Sequence, residues 1–199
     1  MKKIFINSLM ILFLPLAGFS QFTHMGLEAG YSSEVKEPGI GLFGLYRVND
    51  EIKLTPNFMY YLPHTVNTAN GADISEGTQR YEWWMINMDG NYVIIKEGMF
   101  EGYGLMGLNF ANIIWERDEV VLGQVEQERR QVLKLGLNVG AGIRLNLGNK
   151  VVPFGELRYT LGGKADFLVT EVSTSQFGIF AGILVRITED NDRTITEDF

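Results

Sequence analysis

The sequence predicts an all-β fold, an eight-stranded antiparallel up-and-down transmembrane β-barrel. Three observations predict it. Apolar and polar residues alternate over long stretches after Gln21, which marks strands with two unlike faces. Short and long connections alternate between those stretches, as in barrels with tight turns at one end and longer loops at the other. The composition agrees: 23 Gly but only 5 Pro, with 13 Phe, 8 Tyr and 3 Trp, suits close backbone contact and half-buried pleated surfaces.

The first twenty residues read as a cleaved signal peptide, domain 1–20. Lys2 and Lys3 supply positive charge, residues 4–16 are mostly apolar, and Ala17, Gly18 and Ser20 are small residues before a cut after Ser20. The apolar run is shorter than the roughly 20 residues a spanning helix needs. No later window is apolar enough for such a helix. An exported chain of this kind can cross a membrane only as a closed barrel. That barrel is expected over 21–187, followed by a polar C-terminal tail, 188–199. The chain has no cysteine, so disulfides and thiolate metal sites are excluded. The formal net charge is −7, and a nucleic-acid partner would want a basic surface.

Each strand follows from its alternation. Residues 24–31 place Met25, Leu27, Ala29 and Tyr31 outward and Gly26, Glu28 and Gly30 inward. Residues 39–48 form the second strand, with Phe43 and Leu45 blurring the pattern. Residues 52–62 place Ile52, Leu54, Phe58 and Tyr60 outward, and Lys53, Thr55 and Asn57 inward. Residues 84–94 place Trp84, Ile86, Met88 and Tyr92 outward, and Asn87, Asp89 and Asn91 inward. Residues 99–115 place Phe100, Met106, Leu108 and Phe110 outward, and Glu101, Tyr103 and Asn109 inward. The clearest stretch is 133–147. Every odd position from Leu133 to Leu147 is apolar, and the even ones are Lys134, Gly136, Asn138, Gly140, Gly142, Arg144 and Asn146. Residues 151–160 place Leu157 and Tyr159 outward, and Glu156, Arg158 and Thr160 inward. Residues 176–187 place Phe177, Ile179, Ala181, Ile183 and Val185 outward, and Gly178, Gly182 and Arg186 inward.

The short connections are 49–51, 96–98 and 148–150; the long ones are 32–38, 63–80, 116–130 and 161–175. An even strand count then puts both barrel termini on the short-turn side, the periplasm of a Gram-negative outer membrane. Tyr31, Tyr46, Tyr60, Tyr61, Trp83, Trp84, Tyr92, Trp115, Tyr159 and Phe177 lie near expected strand ends. Such positions suit an interfacial aromatic girdle.

The run Lys134-Leu-Gly-Leu-Asn-Val-Gly-Ala-Gly-Ile-Arg144, a short turn, and Pro153-Phe-Gly-Glu-Leu-Arg-Tyr-Thr-Leu-Gly162 resemble the C-terminal half of small outer-membrane β-barrel proteins. These belong to the porin-like superfamily (the Bacteroidetes-type outer membrane protein beta-barrel). The segment ending in Ser20 before Gln21 is similar to the signals of Bacteroidetes exports. The resemblance implies an eight-stranded barrel of the small, adhesion- or resistance-associated type, and it implies no catalytic residues. It also implies contact with outer-membrane lipid and the barrel-insertion machinery. One departure is the polar tail after Ile187, where such barrels end on an aromatic residue that closes the last strand.

The inward charges define the candidate site: Glu28, Asp89, Glu101 and Glu156 facing Lys53, Lys134, Arg144, Arg158 and Arg186. An eight-stranded interior is just wide enough for side chains to fill, and buried charges must pair. The expectation is a lumen closed by ion pairs, in a protein with a structural or loop-mediated binding role. A narrow pore is the alternative, and a lipid-modifying enzyme a more distant one. No catalytic, cofactor or metal site is expected. Gly39-Ile-Gly41-Leu-Phe-Gly44 and Gly102-Tyr-Gly104-Leu-Met-Gly107 match a nucleotide-binding spacing, but that motif must open a helix and these lie inside strands. The two histidines, His24 and His64, have no ligand cluster nearby in sequence, as a metal site would need. Charged Glu116-Arg-Asp-Glu119 and Glu126-Gln-Glu-Arg-Arg130 flank Val120-Val-Leu122 and suggest a protruding ribbon.

Overall fold

The computed structural model describes residues 22–69, 76–121, 124–148, 150–167 and 170–188. The expected signal peptide, residues 1–20, and the tail from residue 189 onward lie outside the described residues. Ten strands follow one another: β1 (Phe22–Ser32), β2 (Pro38–Arg47), β3 (Ile52–Ala69), β4 (Glu76–Glu97), β5 (Phe100–Val121), β6 (Gln124–Leu145), β7 (Val151–Leu161), β8 (Lys164–Phe167), β9 (Thr170–Ser173) and β10 (Gln176–Arg186). Eight of them close into a barrel in the order β1-β10-β7-β6-β5-β4-β3-β2. Every pair is antiparallel, and the ring shuts where β1 meets β10, with Leu27 opposite Ile183 and Ala29 opposite Ala181. Closure leaves no edge in the wall, so the wall's backbone groups pair without help from solvent. The expected up-and-down barrel is therefore the observed one, and its final strand lies where the sequence placed it.

Period-two alternation decides the faces. Met106 is 72% exposed on the outside while its neighbour Leu105 is 4% exposed on the inside. Leu27, Ile40, Leu42, Leu135, Leu157 and Ile179 stand outward with Met106. The inner face holds Glu28, Asn57, Asn87, Asp89, Glu101, Asn138, Arg144, Glu156 and Arg158, all buried. A soluble barrel would reverse these faces, because its apolar residues would leave water by turning inward.

Strand lengths differ sharply. β1, β2, β7 and β10 have 10 or 11 residues. At about 3.3 Å per residue and a tilt of about 40°, that covers an apolar band of about 25 Å. β4, β5 and β6 have 22 residues each and β3 has 18, so they run far beyond such a band. β7 stops at Leu161, opposite Leu137, while β6 continues back to Gln124. The result is a four-stranded sheet rising past the rim. This corrects the sequence expectation for 63–80 and 116–130, read there as long loops. Thr65 pairs with Arg80, Trp115 with Arg130 and Val121 with Gln124, which realises the ribbon suggested by 116–130. Segment 161–175 also contains the β8–β9 hairpin, which its short, mixed sequence did not announce.

At the opposite end the turns are tight. In the turn between β2 and β3, Asn49 Oδ1 accepts from the backbone N–H of Glu51 (2.9 Å) and Ile52 (2.6 Å), a side-chain mimic of a backbone turn. Between β4 and β5, Gly98 has φ of 56°, a left-handed conformation that glycine adopts without steric cost. Both termini of the barrel lie here too: Ile187 N–H donates to the Thr23 carbonyl (2.9 Å), and Thr188 Oγ1 donates to the Phe22 carbonyl (2.7 Å).

Candidate functional site

Two connected groups of charges fill the middle of the barrel. Near the short-turn end, Lys53 on β3 donates to both Glu101 oxygens at 2.5 Å. Arg144 on β6 donates from Nη1 to Glu101 Oε1 at 3.0 Å. The Arg144 guanidinium also lies 3.8 Å from the centre of the Tyr103 ring, a cation–π contact strengthened by burial. Tyr103 links this group to the next, because its hydroxyl donates to Glu156 Oε2 at 3.1 Å. Glu156 accepts from Arg158, through Nε at 3.0 Å and through Nη2. Arg158 reaches Asp89 Oδ2 at 3.4 Å and packs over the Phe180 ring.

An asparagine ladder holds Asp89 in place. Asn138 Nδ2 donates to Asp89 Oδ1 (2.8 Å) and Asn87 Oδ1 (2.9 Å). Asn109 donates to Asn87 Oδ1 at 2.6 Å, and the Thr160 hydroxyl to Asn138 Oδ1 at 2.8 Å. These residues sit on β4, β5, β6 and β7 at inward positions of one level, so strand register alone brings them together. Close packing leaves no slack beside them. A Cβ on Gly107 would lie 2.3 Å from both Asp89 Oδ1 and the Met88 carbonyl, so only glycine fits opposite Asp89.

Of the residues singled out from sequence, Lys53, Glu101 and Arg144 form one group, and Asp89, Glu156 and Arg158 the other. Glu28 is 3% exposed and faces the same lumen, but neither of its oxygens has a hydrogen-bond partner. Two expected members stand elsewhere. Lys134 is level with Ala111, beside the apolar plug rather than the charges, and is half-buried. Arg186 lines a cavity at the short-turn mouth. Alternation gave their face correctly, yet height along the barrel separates them from the network.

Sequence reasoning missed the apolar residues inside. Phe43 and Leu45 pack with Val152, Phe154 and Leu184 toward the short-turn end. Toward the long-strand end Met59, Tyr61, Trp83, Met85, Ile113, Trp115 and Phe180 form a larger plug, roofed by Val35 and by Ala165 of the β8–β9 hairpin. This corrects the girdle: Tyr61, Trp83 and Trp115 are 1%, 2% and 0% exposed and point inward. Tyr31, Tyr92, Tyr159 and Phe177 do stand outward. The signal was present as a loss of alternation, in Phe43 and Leu45, in Met59-Tyr60-Tyr61 and in Trp83-Trp84-Met85. Where both faces are apolar, one face must line the interior. Beside Arg158 and Asn87 lies a void of about 10 Å³, space for about one water.

The histidines join no catalytic group among the described residues. His64 Nδ1 is 2.7 Å from Glu37 Oε1 at the outer rim, and His24 Nδ1 is 2.9 Å from the Thr23 hydroxyl. Both glycine-rich matches lie in strands, one in β2 and one in β5. No group of three or more His, Asp or Glu side chains suited to a metal ion occurs among the described residues.

No protein-family model matches the chain, and no curated protein sequence does. Solved structures do match in fold. A major outer membrane protein from Thermus thermophilus superposes with a TM-score of 0.53 at 11% identity, covering 82% of this chain and 99% of that one. The N-terminal β-barrel domain of Pseudomonas aeruginosa OprF gives 0.49 at 17% identity, with coverages of 83% and 98%. Ail, the attachment invasion locus protein of Yersinia pestis, gives 0.44 at 16%, with 83% and 96%. At these identities the likeness is one of fold: this chain has the architecture of a small eight-stranded barrel.

Proposed function

We propose that the chain is an integral outer-membrane β-barrel of a Gram-negative bacterium with a closed lumen, serving a structural role or binding partners through the sheet and loops beyond its rim. The observation that carries this reading is the pairing of an apolar outer wall with a buried, hydrogen-bonded charge network inside. Exposed leucine, isoleucine and methionine around a whole barrel would be unstable in water, whereas lipid matches them. The reading includes export through a cleaved segment 1–20, insertion by the barrel-assembly machinery, and barrel termini facing the periplasm. It includes no nucleic-acid partner and no catalysis. A closed lumen is favoured over a narrow pore by the two apolar clusters and by the small central void. The rising sheet of β3 to β6 supports a binding role, since recognition on rigid scaffolds is carried by projecting segments.

The test is direct. Protein folded into detergent or vesicles should migrate differently on gels before and after heating, and should show no steady conductance in planar bilayers. A mature chain that stays soluble and monomeric without detergent would refute the membrane placement. A reproducible open conductance would refute the closed lumen.

A further inference from the structure

We propose that the outer wall holds one acyl chain of a membrane phospholipid in a groove at the seam where the ring closes, with the ester end of that lipid beside Tyr60. This rests on the membrane placement proposed above and names one lipid contact within it. A groove of about 740 Å³ crosses β10, β1, β2 and β3 there, within the roughly 300–1,000 Å³ of small-molecule sites. The residues explain it. Ala29 stands opposite Ala181 on one side and Ile40 on the other, so two methyl groups adjoin in a wall otherwise built of larger side chains. Leu27 and Ile40, 66% and 68% exposed, rise beside them as ridges. The floor is backbone: the groove reaches the inward positions Gly26, Glu28, Gly41 and Gly182, and the Glu28 side chain turns to the lumen, 3% exposed. Every outward side chain lining the groove is apolar apart from the Tyr60 hydroxyl.

The occupant follows from shape and surroundings. The groove is continuous with the apolar outer wall, so whatever covers that wall also meets the groove. A second copy would present the same closed ring of eight strands, and two convex walls touch along a line without filling a hollow between ridges. An acyl chain is thin and flexible. It follows the hollow and gains the dispersion contacts that an unfilled one forfeits. The orientation follows from β3, which leaves the tight turns at Ile52 and passes Phe58 before Tyr60. Tyr60 therefore marks the end of the groove toward the long strands. Its hydroxyl makes no hydrogen bond within the described chain. Tyrosine favours the boundary between lipid and water, where this hydroxyl can donate to the carbonyl of a lipid ester.

The test folds the full chain into vesicles of palmitoyl-oleoyl phosphatidylglycerol, extracts it into mild detergent and weighs it intact by native mass spectrometry. The parent should retain one phospholipid per chain. Ala29→Phe/Ala181→Phe fills the groove from the wall and should lower the retained fraction about tenfold, because contacts with several chain carbons are lost. Ala141→Phe, outward on β6 and away from the groove, should leave retention as in the parent. Tyr60→Phe should lower it about fivefold, the worth of one neutral hydrogen bond. No retained phospholipid in the parent, or equal retention in Ala29→Phe/Ala181→Phe, overturns the proposal. A parent dimer that this variant abolishes would assign the groove to a second copy and overturns it too. Unchanged retention in Tyr60→Phe overturns the position of the ester. Gel mobility before and after heating separates the two levels of failure. A chain without a heat-dependent shift refutes the membrane placement itself, whereas a folded chain that carries no phospholipid refutes only the acyl site.

Discussion

Replacing Arg158 with methionine keeps much of the side-chain volume over the Phe180 ring but deletes the cation that pairs with both Glu156 and Asp89. Arg158 is 4% exposed and Glu156 and Asp89 are 4% and 1% exposed, so bulk water does not reach the place of the lost partner. Removing one side of a buried pair typically costs about 3–5 kcal/mol, because the remaining charge stays buried and unpaired. With a urea dependence of about 2 kcal/mol per molar, the unfolding midpoint should fall by about 1.5–2.5 M. The assay is urea unfolding of the folded protein in vesicles, followed by tryptophan fluorescence and gel mobility. Arg158→Met/Glu156→Gln/Asp89→Asn should be less destabilised than the single substitution, since it removes the stranded charges as well. Lys134→Met, inward but outside the network, is the control and should cost less than about 1 kcal/mol. A single-variant cost below about 1 kcal/mol, or a triple variant worse than the single, would show that the lumen charges are not a mutually compensating set.

Three further perturbations probe other layers. Met106→Arg places a charge at an outward position that is 72% exposed; it should cost about 2–4 kcal/mol in a bilayer if it sits near mid-depth, measured as vesicle folding yield and urea midpoint. Trp115→Ala empties the centre of the outer apolar plug and should cost about 3–5 kcal/mol, read by the same unfolding curve. At the first short turn, a hydrogen bond from Arg47, aided by its charge, holds the Asp50 carboxyl below the usual carboxylate range. A depressed folded-state pKa means this contribution is present above the unfolded value and fades as pH falls through the folded one. The difference between the parent and Asp50→Asn should therefore be constant above about pH 5 and shrink below about pH 3; a difference unchanged at low pH would contradict the pairing.

Alternation made the wall legible because the two faces meet different media. From Leu133 to Leu147 apolar and lumen residues exchange at every step, and as far as Leu145, where β6 ends, that stretch folded with the expected faces. The same rule failed at Tyr61, Trp83 and Trp115. Their apolar character suggested the outer wall, but their parity put them inside. Near the long-strand end the lumen is filled by rings rather than charges, so side-chain type and side-chain direction no longer coincide. The long strands β3 to β6 were foreshortened for a related reason. Residues such as Glu116, Arg117 and Asp118 are polar on both faces, and pairing there rests on backbone hydrogen bonds that leave no hydrophobic period.

The candidate site shows the same division. The sequence supplied the set of inward charges, because inwardness depends only on odd or even position. Which charges meet depends on register between strands far apart in the chain. Tyr103 touches Arg144 and Glu156, on β6 and β7, and nothing in its local sequence names either partner.

By itself, then, the sequence determined the number of wall strands, the faces of the regularly alternating wall residues and the sorting of tight turns to one end, since each is a local consequence of period and turn chemistry. Only the tertiary structure decided the pairing of Arg158 with Glu156 and Asp89, the separation of Lys134 from that network and the two apolar plugs. Those features depend on the relative heights of residues on different strands. Closing the ring sets those heights, because one register must satisfy all eight seams at once.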